Sequence, residues 1–330
     1  GVVSGDVGSA IDAREAWRTF AKHYYLFRGT PVRIWLDHSF SEVFGLDVSL
    51  NEQTADHYFD TINANLASDG FRPRALIDKF NVAYLSTTEG ALDDLAHHAK
   101  LKNDGLNHRV TTTFRPDDIT NPDGVGFAQN LKNLAELTGK DTSNWPDFLD
   151  AIRDRRAHFL AHGATATDHG HPSPQTSNLD NASCQKLLDA CLNGIAGSAQ
   201  REAFRGQMLT EMAGMSREDG MVMQIHPGSY RNHNGALFGR FGADKGADIP
   251  LRVSYTESLQ PMLSLHVNDP DLSVILFTLD ESNYTRELAP LAGHYPCLKL
   301  GPPWWFHDSP EGMLRYRQQI TETAGFYNTV

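Results

Sequence analysis

Cysteine is scarce in this chain. There are three, Cys184, Cys191 and Cys297, an odd count with no Cys-x-x-Cys pair. That excludes a disulfide framework and points to a reducing, cytoplasmic compartment. Cys184 and Cys191 are spaced to share one helix face, and all three are expected to fill core. No apolar run approaches the roughly 18 residues of a membrane span, so no membrane partner is expected. Basic residues are short as well: 29 Lys and Arg stand against 41 Asp and Glu, a net charge of −12. A nucleic-acid footprint is thereby excluded, and an anionic substrate needs arginines focused in a cleft. The opening GVVSGDVGSAIDAREAW has neither a basic n-region nor an apolar h-region and is not expected to be a signal peptide. It starts at Gly1 in a Gly/Ser-rich stretch, and a partial chain is expected. No Gly-x-Gly-x-x-Gly follows the first candidate strand, which argues against a dinucleotide fold.

What remains is ordinary globular composition, 40% hydrophobic and 21% charged over 330 residues. That suits one large α/β barrel or two ordinary domains. Residues 12–75 read as helical: Ala16, Trp17, Phe20, Tyr24 and Phe27 recur at helical spacing, and a second periodic stretch covers 53–68. From about residue 80, short β-branched or apolar runs alternate with helical segments. Candidate strands are 81–87, 109–114, 159–167, 221–225, 273–279 and 297–300, with a last one beginning at 326. Helices are expected at 90–102, 127–139, 146–157, 181–217, 255–265 and 310–323. Such alternation predicts parallel strands with crossover helices, and the number of strands favours a (β/α)8 barrel over an open sheet.

Chemistry in such a barrel collects at the C-terminal strand ends. Here those ends run into Arg115-Pro116-Asp117, Asp168-His169-Gly170-His171, His226 with Tyr230-Arg231-Asn232, Asp280-Glu281, and Gly301 through Trp304-Trp305-Phe306-His307-Asp308. Together they point to one polar pocket with aromatic walls. Each has a plainer alternative. Arg115 either faces a ligand or pairs with Asp117 on the rim. Arg231 either grips a ligand or orders its loop; a guanidinium suits a carboxylate because its fork makes two parallel charge-assisted hydrogen bonds. His226, before a Pro-Gly turn, is a site residue or a satisfied core histidine. Asp168 is a general base or a helix cap. His169 and His171 have the spacing of metal ligands on a strand, but Gly170 and Pro172 indicate that the strand has already ended. Trp304 and Trp305 either pack or wall a sugar. His97, His98 and the lysines at 100–102 are expected to be solvated.

Read in order, these elements resemble a known family. Trp35-Leu36-Asp37-His38, Val43-Phe44-Gly45, Ser86-Thr87-Thr88-Glu89, Phe114-Arg115-Pro116-Asp117, Thr167-Asp168-His169-Gly170, Met223-Gln224-Ile225-His226 with Arg231-Asn232, and Gly301 through Trp304-Trp305-Phe306 with Gly312-Met313 are together similar to uronate (glucuronate) isomerase of the amidohydrolase superfamily. The resemblance implies a (β/α)8 TIM-like barrel of the metal-dependent hydrolase type. Residues 1–75 would be a helical insertion and 76–330 the barrel, incomplete at both ends. The implied activity is aldose–ketose isomerisation of D-glucuronate to D-fructuronate and of D-galacturonate to D-tagaturonate.

The family's functional positions fall on Arg115, Asp168, His226 and Trp304. Arg115, with Arg231 as helper, would hold the substrate carboxylate. Asp168 and His226 would do acid–base or metal-shell work, and Trp304 would wall the pocket. A divalent metal, zinc, is expected in the complete enzyme. Its main ligands in the family, a His-x-His on the first strand and the aspartate of an Asp-x-Arg on the eighth, are not in place, nor is a His-Tyr pair. His169-x-His171, Asp12-x-Arg14, Asp154-x-Arg156 and His23-Tyr24 are read as decoys. The chain is therefore expected to begin after the first strand and stop inside the eighth, with the main ligands outside it, His226 a possible further one, and no activity on its own. A uronic acid and further copies of the chain in a homo-oligomer are the expected partners. Two alternatives stand beside this: a metal-dependent hydrolase on the same scaffold, and a non-catalytic partial barrel.

Overall fold

The computed structural model describes residues 12–106, 109–266, 269–304 and 308–330. By its internal contacts the chain divides into two compact units, Gly1–Ala83 and Tyr84–Val330. The division lies beyond the expected 75/76 boundary because the helix Pro73–Lys79 goes with the first unit.

The first unit is helical. Its main helices are Ala13–His23, Pro31–His38 and Ala55–Leu66. Asp12 caps the first, accepting from the Arg14 N–H at 2.9 Å, and Thr30 with Pro31 opens the second. The periodic aromatics close a small core: Tyr24, Phe40 and Tyr58 are buried, with the Phe40 and Tyr58 rings edge-on at 5.1 Å. Trp17 Nε1–H donates to the Ala55 carbonyl at 2.8 Å, and Arg18 forks onto Asp56 at 2.9 and 2.8 Å. Asp37 of the Trp-Leu-Asp-His element accepts from the Tyr24 hydroxyl at 2.9 Å, so both residues have structural partners here.

The second unit is built on a parallel sheet. Strands β1 (Leu85–Gly90), β2 (Val110–Arg115), β3 (Ala166–His169) and β4 (Val222–Ile225) are followed by a two-stranded antiparallel arm, β5 (Ser229–Tyr230) with β6 (Ile249–Pro250). Then come β7 (Val274–Leu276) and β8 (Leu298–Leu300). The main sheet runs β1-β2-β3-β4-β7-β8, every pairing parallel. Strands in sequential spatial order with helices between them are the topology of a (β/α)8 barrel, of which six staves are described. The last candidate, from 326, is a 3-10 turn (Phe326–Asn328) followed by one parallel bridge from Thr329 to Leu300.

Several expectations are corrected. The segment 159–167 is not one strand. The helix Trp145–Ala161 continues through its first residues, because Phe159 packs edge-on against Phe114 at 4.9 Å from the helical side. Gly163, at φ +88°, then turns the chain before β3 begins at Ala166. The expected helix 181–217 is two, Asn181–Leu192 and Ser198–Asp219. The arm and its helix Gly235–Phe241 are additions to the expected pattern. His98 is buried, not solvated, with Nε2 2.9 Å from the Thr87 hydroxyl; His97 is exposed. The three cysteines are buried and free, and burial pushes the Cys184 and Cys191 thiols up to about 11.

One buried ion pair joins the two longest helices. Arg156, 1% exposed, donates from Nε and Nη2 to the two Asp219 oxygens at 2.6 and 2.9 Å and to the Ser216 hydroxyl at 3.0 Å. A buried guanidinium is tolerable only while so paired. Asp219→Ala is therefore expected to cost about 3 kcal/mol, read as a lower urea midpoint at an unchanged m-value. A loss under about 1 kcal/mol would show the pair to be solvent-screened.

Candidate active site

Side chains alternate across each strand, so every second residue faces the barrel axis. That rule delivers Ser86 and Thr88 from β1, Thr113 and Arg115 from β2, Asp168 from β3 and Gln224 from β4 to one cavity of about 400 Å³. His226, one residue past β4, Arg231 from the arm and Trp304 beyond β8 complete its wall. The five residues singled out in the sequence, Arg115, Asp168, His226, Arg231 and Trp304, thus line a single space.

Asp168 is its centre. One carboxylate oxygen lies 2.6 Å from His226 Nδ1 and the other 3.2 Å from Arg115 Nη1. Burial alone would raise the Asp168 carboxyl; the hydrogen bond and charge of His226, then the charge of Arg115, outweigh it and hold it below the usual carboxylate range. An ionised Asp168 can only accept, so His226 donates from Nδ1, which leaves Nε2 as the ring nitrogen not bonded to the carboxylate. The imidazole is further fixed by stacking on Phe277, centroids 3.9 Å apart, and by the edge contact with Trp304 at 5.2 Å.

Arg115 makes the expected pair with Asp117 and also lines the cavity. Its Nε donates to Asp117 at 2.8 Å while Nη1 reaches Asp168. Asp117 also accepts the Gly170 N–H at 3.1 Å, tying the end of β2 to the turn after β3. A Cβ on Gly170 would stand 2.1 Å from Arg115 Nη2, so the turn must be glycine for the guanidinium to lie there. Burial would lower the Arg115 pKa, but Asp117 and Asp168 raise it above its usual value. Arg231 is held by Asp248 at 2.8 Å, and the same carboxylate accepts the Asn232 N–H at 2.8 Å, stabilising a residue at φ +54°.

His169 and His171 do not form a chelate. They are buried with ring centroids 6.3 Å apart; His169 Nε2 lies 2.9 Å from the Thr167 hydroxyl and His171 Nε2 3.4 Å from that of Thr120. Among the described residues no group of three or more His, Cys, Asp or Glu side chains is arranged to hold a metal ion. At the cavity the candidate donors Asp168 and His226 are bonded to one another. These residues do not by themselves form a ligand set for a divalent metal, whose main ligands are expected outside this chain. Asp154 and Arg156 lie within the helix Trp145–Ala161. Trp305, Phe306 and His307 lie outside the described residues.

A family profile described as glucuronate isomerase matches residues 1–329. The chain belongs to this family. It is 58% identical to the uronate isomerase of Rhizorhabdus wittichii over 324 residues, which cover 98% of this chain and 70% of that protein. The uronate isomerase of Mesorhizobium japonicum is 56% identical over 319 residues, 97% of this chain and 68% of that one. Among solved structures, glucuronate isomerase from Caulobacter crescentus superposes with a TM-score of 0.94 at 55% identity, covering 97% of this chain and 67% of that one. Uronate isomerase from Thermotoga maritima gives a TM-score of 0.89 at 27% identity, over 96% and 69%. Family membership decides for the isomerase against the hydrolase.

Sequence reasoning gave no role to Asp117 beyond the rim pair, nor to Ser86, Thr88, Thr113, Gln224, Phe277 or Asp248. Period-2 counting back from Arg115 and His226 reaches Thr113 and Gln224 and was the available signal. Phe277 and Asp248 carry none, being brought in by tertiary packing.

The buried histidines make acid stability testable. Burial holds His169 well below 6.5, and lowers His171, so both stay neutral in the native state. As pH falls through 6.5 the unfolded chain takes up protons that the native chain refuses, and stability drops. The expected slope below about pH 6.5 approaches about 1.4 kcal/mol per pH unit for His169, with a smaller share from His171. Urea unfolding should show it, and His169→Gln should flatten it; a pH-independent midpoint would contradict the neutral state.

Proposed function

We propose that this cavity takes the open-chain form of a hexuronic acid and interconverts D-glucuronate with D-fructuronate, and D-galacturonate with D-tagaturonate. The observation that carries the proposal is the 2.6 Å bond from His226 Nδ1 to Asp168, beside Arg115, in the barrel mouth. Asp168 keeps the ring in the tautomer whose Nε2 is a base. His226 takes the proton from C2 of the aldose, and the electron pair becomes the C1–C2 double bond of an enediol. Return of the proton to C1, with transfer of the O2 hydroxyl proton to O1, leaves the ketose. Arg115 and Arg231 present guanidinium groups to the C6 carboxylate, which excludes neutral hexoses. Trp304 limits the space beside the imidazole.

Three buried free thiols support a cytoplasmic location. No helix among the described residues is long and apolar enough to cross a membrane.

The test is fructuronate formation by the full-length protein. Asp168→Asn and His226→Asn are each expected to lower kcat by about 10²–10⁴-fold, far more than they raise KM. Arg115→Lys touches the dyad as well as the carboxylate and should depress both kcat and kcat/KM. Arg231→Lys, held by Asp248, should act chiefly on KM. Normal turnover with only a lowered Tm in the Asp168 and His226 variants would make the pair structural.

A further inference from the structure

The cavity has two unlike walls. Arg115, Asp168, His226 and Arg231 carry its charge, while Ser86, Thr88, Thr113 and Gln224 are neutral. Proton transfer as described gives the neutral wall no task. Ser86 and Thr113 satisfy one another, their hydroxyls 2.6 Å apart. The Gln224 amide is different. It is half-buried, it lines the cavity, and among the described residues its side chain makes no hydrogen bond. A primary amide so placed brings two N–H donors with no acceptor in the fold.

Its position says which acceptor it would meet. Gln224 is the register partner of Asp168 on β3 and stands two residues before His226, which directly follows the strand. It is therefore beside the proton-transferring pair, at the reacting end of the substrate, whereas Arg231 comes from the arm. Loss of the C2 proton moves negative charge onto the neighbouring carbonyl oxygen. A base does nothing for that charge. Arg115 is already engaged through Nε with Asp117 and through Nη1 with Asp168.

We propose that Gln224 is a catalytic hydrogen-bond donor: its amide N–H holds the substrate carbonyl oxygen and the enediolate that grows from it. The inference rests on the isomerase reading above. Gln224 keeps its own proton throughout; the transferred proton moves from C2 to His226 and back to C1. Being neutral, the amide donates at every working pH, and being preorganised on a strand it needs no rearrangement as charge develops.

Two variants of the full-length protein test it. Gln224→Met keeps the length and removes the donor; Gln224→Glu keeps the shape and offers an acceptor instead. The Met variant is expected to lose about 10²-fold in kcat and the Glu variant more, with KM for D-glucuronate little changed. Exchange of a C2 deuterium with solvent should slow by the same factor, because one enediolate governs both. Tm should hold, since the amide has no partner in the fold to lose. A raised KM at unchanged kcat would overturn the assignment and make Gln224 a reader of a remote hydroxyl. Unaltered kinetics would overturn it too. A parent protein that turns over no uronate would sink the isomerase reading itself, and this inference with it.

Discussion

One buried charge organises the mouth of the barrel. The Asp168 carboxylate sits where water reaches it poorly, and a charge there must be matched or neutralised. His226 at 2.6 Å and Arg115 at 3.2 Å match it. Arg115 in turn is held by Asp117, and Asp117 by the Gly170 N–H. The chain of dependence is closed, because Gly170 must lack a side chain for Arg115 to fit. The atoms that hold the histidine ring through Nδ1 are thus the atoms that make the carboxylate affordable. Chemistry and stability cannot be separated here by trimming one residue.

The sheet explains why those atoms meet. Parallel strands present all their C-terminal ends on one side, and register decides which residues are level. β3 and β4 pair over four residues, which places Gln224 beside Asp168. Between β2 and β3 the ladder is a single pair, Phe114 with Thr167. At that weak seam the side chains take over: Arg115 reaches across to Asp168 and Asp117 to Gly170. A seam held by an ion pair and a side-chain hydrogen bond as much as by a ladder is also one whose separation is set by the residues at the cavity mouth.

Much of this was legible because barrel chemistry sits at strand ends, and strand ends are written in consecutive residues. Arg115-Pro116-Asp117 and Asp168-His169-Gly170 announce themselves, and His226 follows a short apolar run. What was hidden has physical reasons. The run from Phe159 to Thr167 contains enough apolar and β-branched residues to look like a strand, yet Phe159 is used from a helix and only Ala166 onward pairs. His98 looked solvated because its neighbours are charged; its burial comes from Thr87 on another element. The antiparallel arm consists of two-residue strands, too short for any periodicity to register. Gln224 is one polar letter in an apolar strand, and only its lack of a partner in three dimensions separates it from a polar core residue.

Electrostatics limits how the substrate is met. The chain carries a net charge of −12. Both arginines of the cavity already face carboxylates, Arg115 those of Asp117 and Asp168, Arg231 that of Asp248. Each guanidinium is neutralised where it stands, so the mouth projects little positive field, and the whole-protein field repels an anion. On the function proposed, recognition of a uronate arises at contact: directed hydrogen bonds from forks already oriented by their protein carboxylates, in a space too small for the charges to be screened. Orientation that is fixed before the substrate arrives costs nothing when it does. The same carboxylates that cancel the long-range attraction therefore supply the geometry that replaces it, and the neutral wall around Gln224 adds donors without adding charge that Asp168 would have to share.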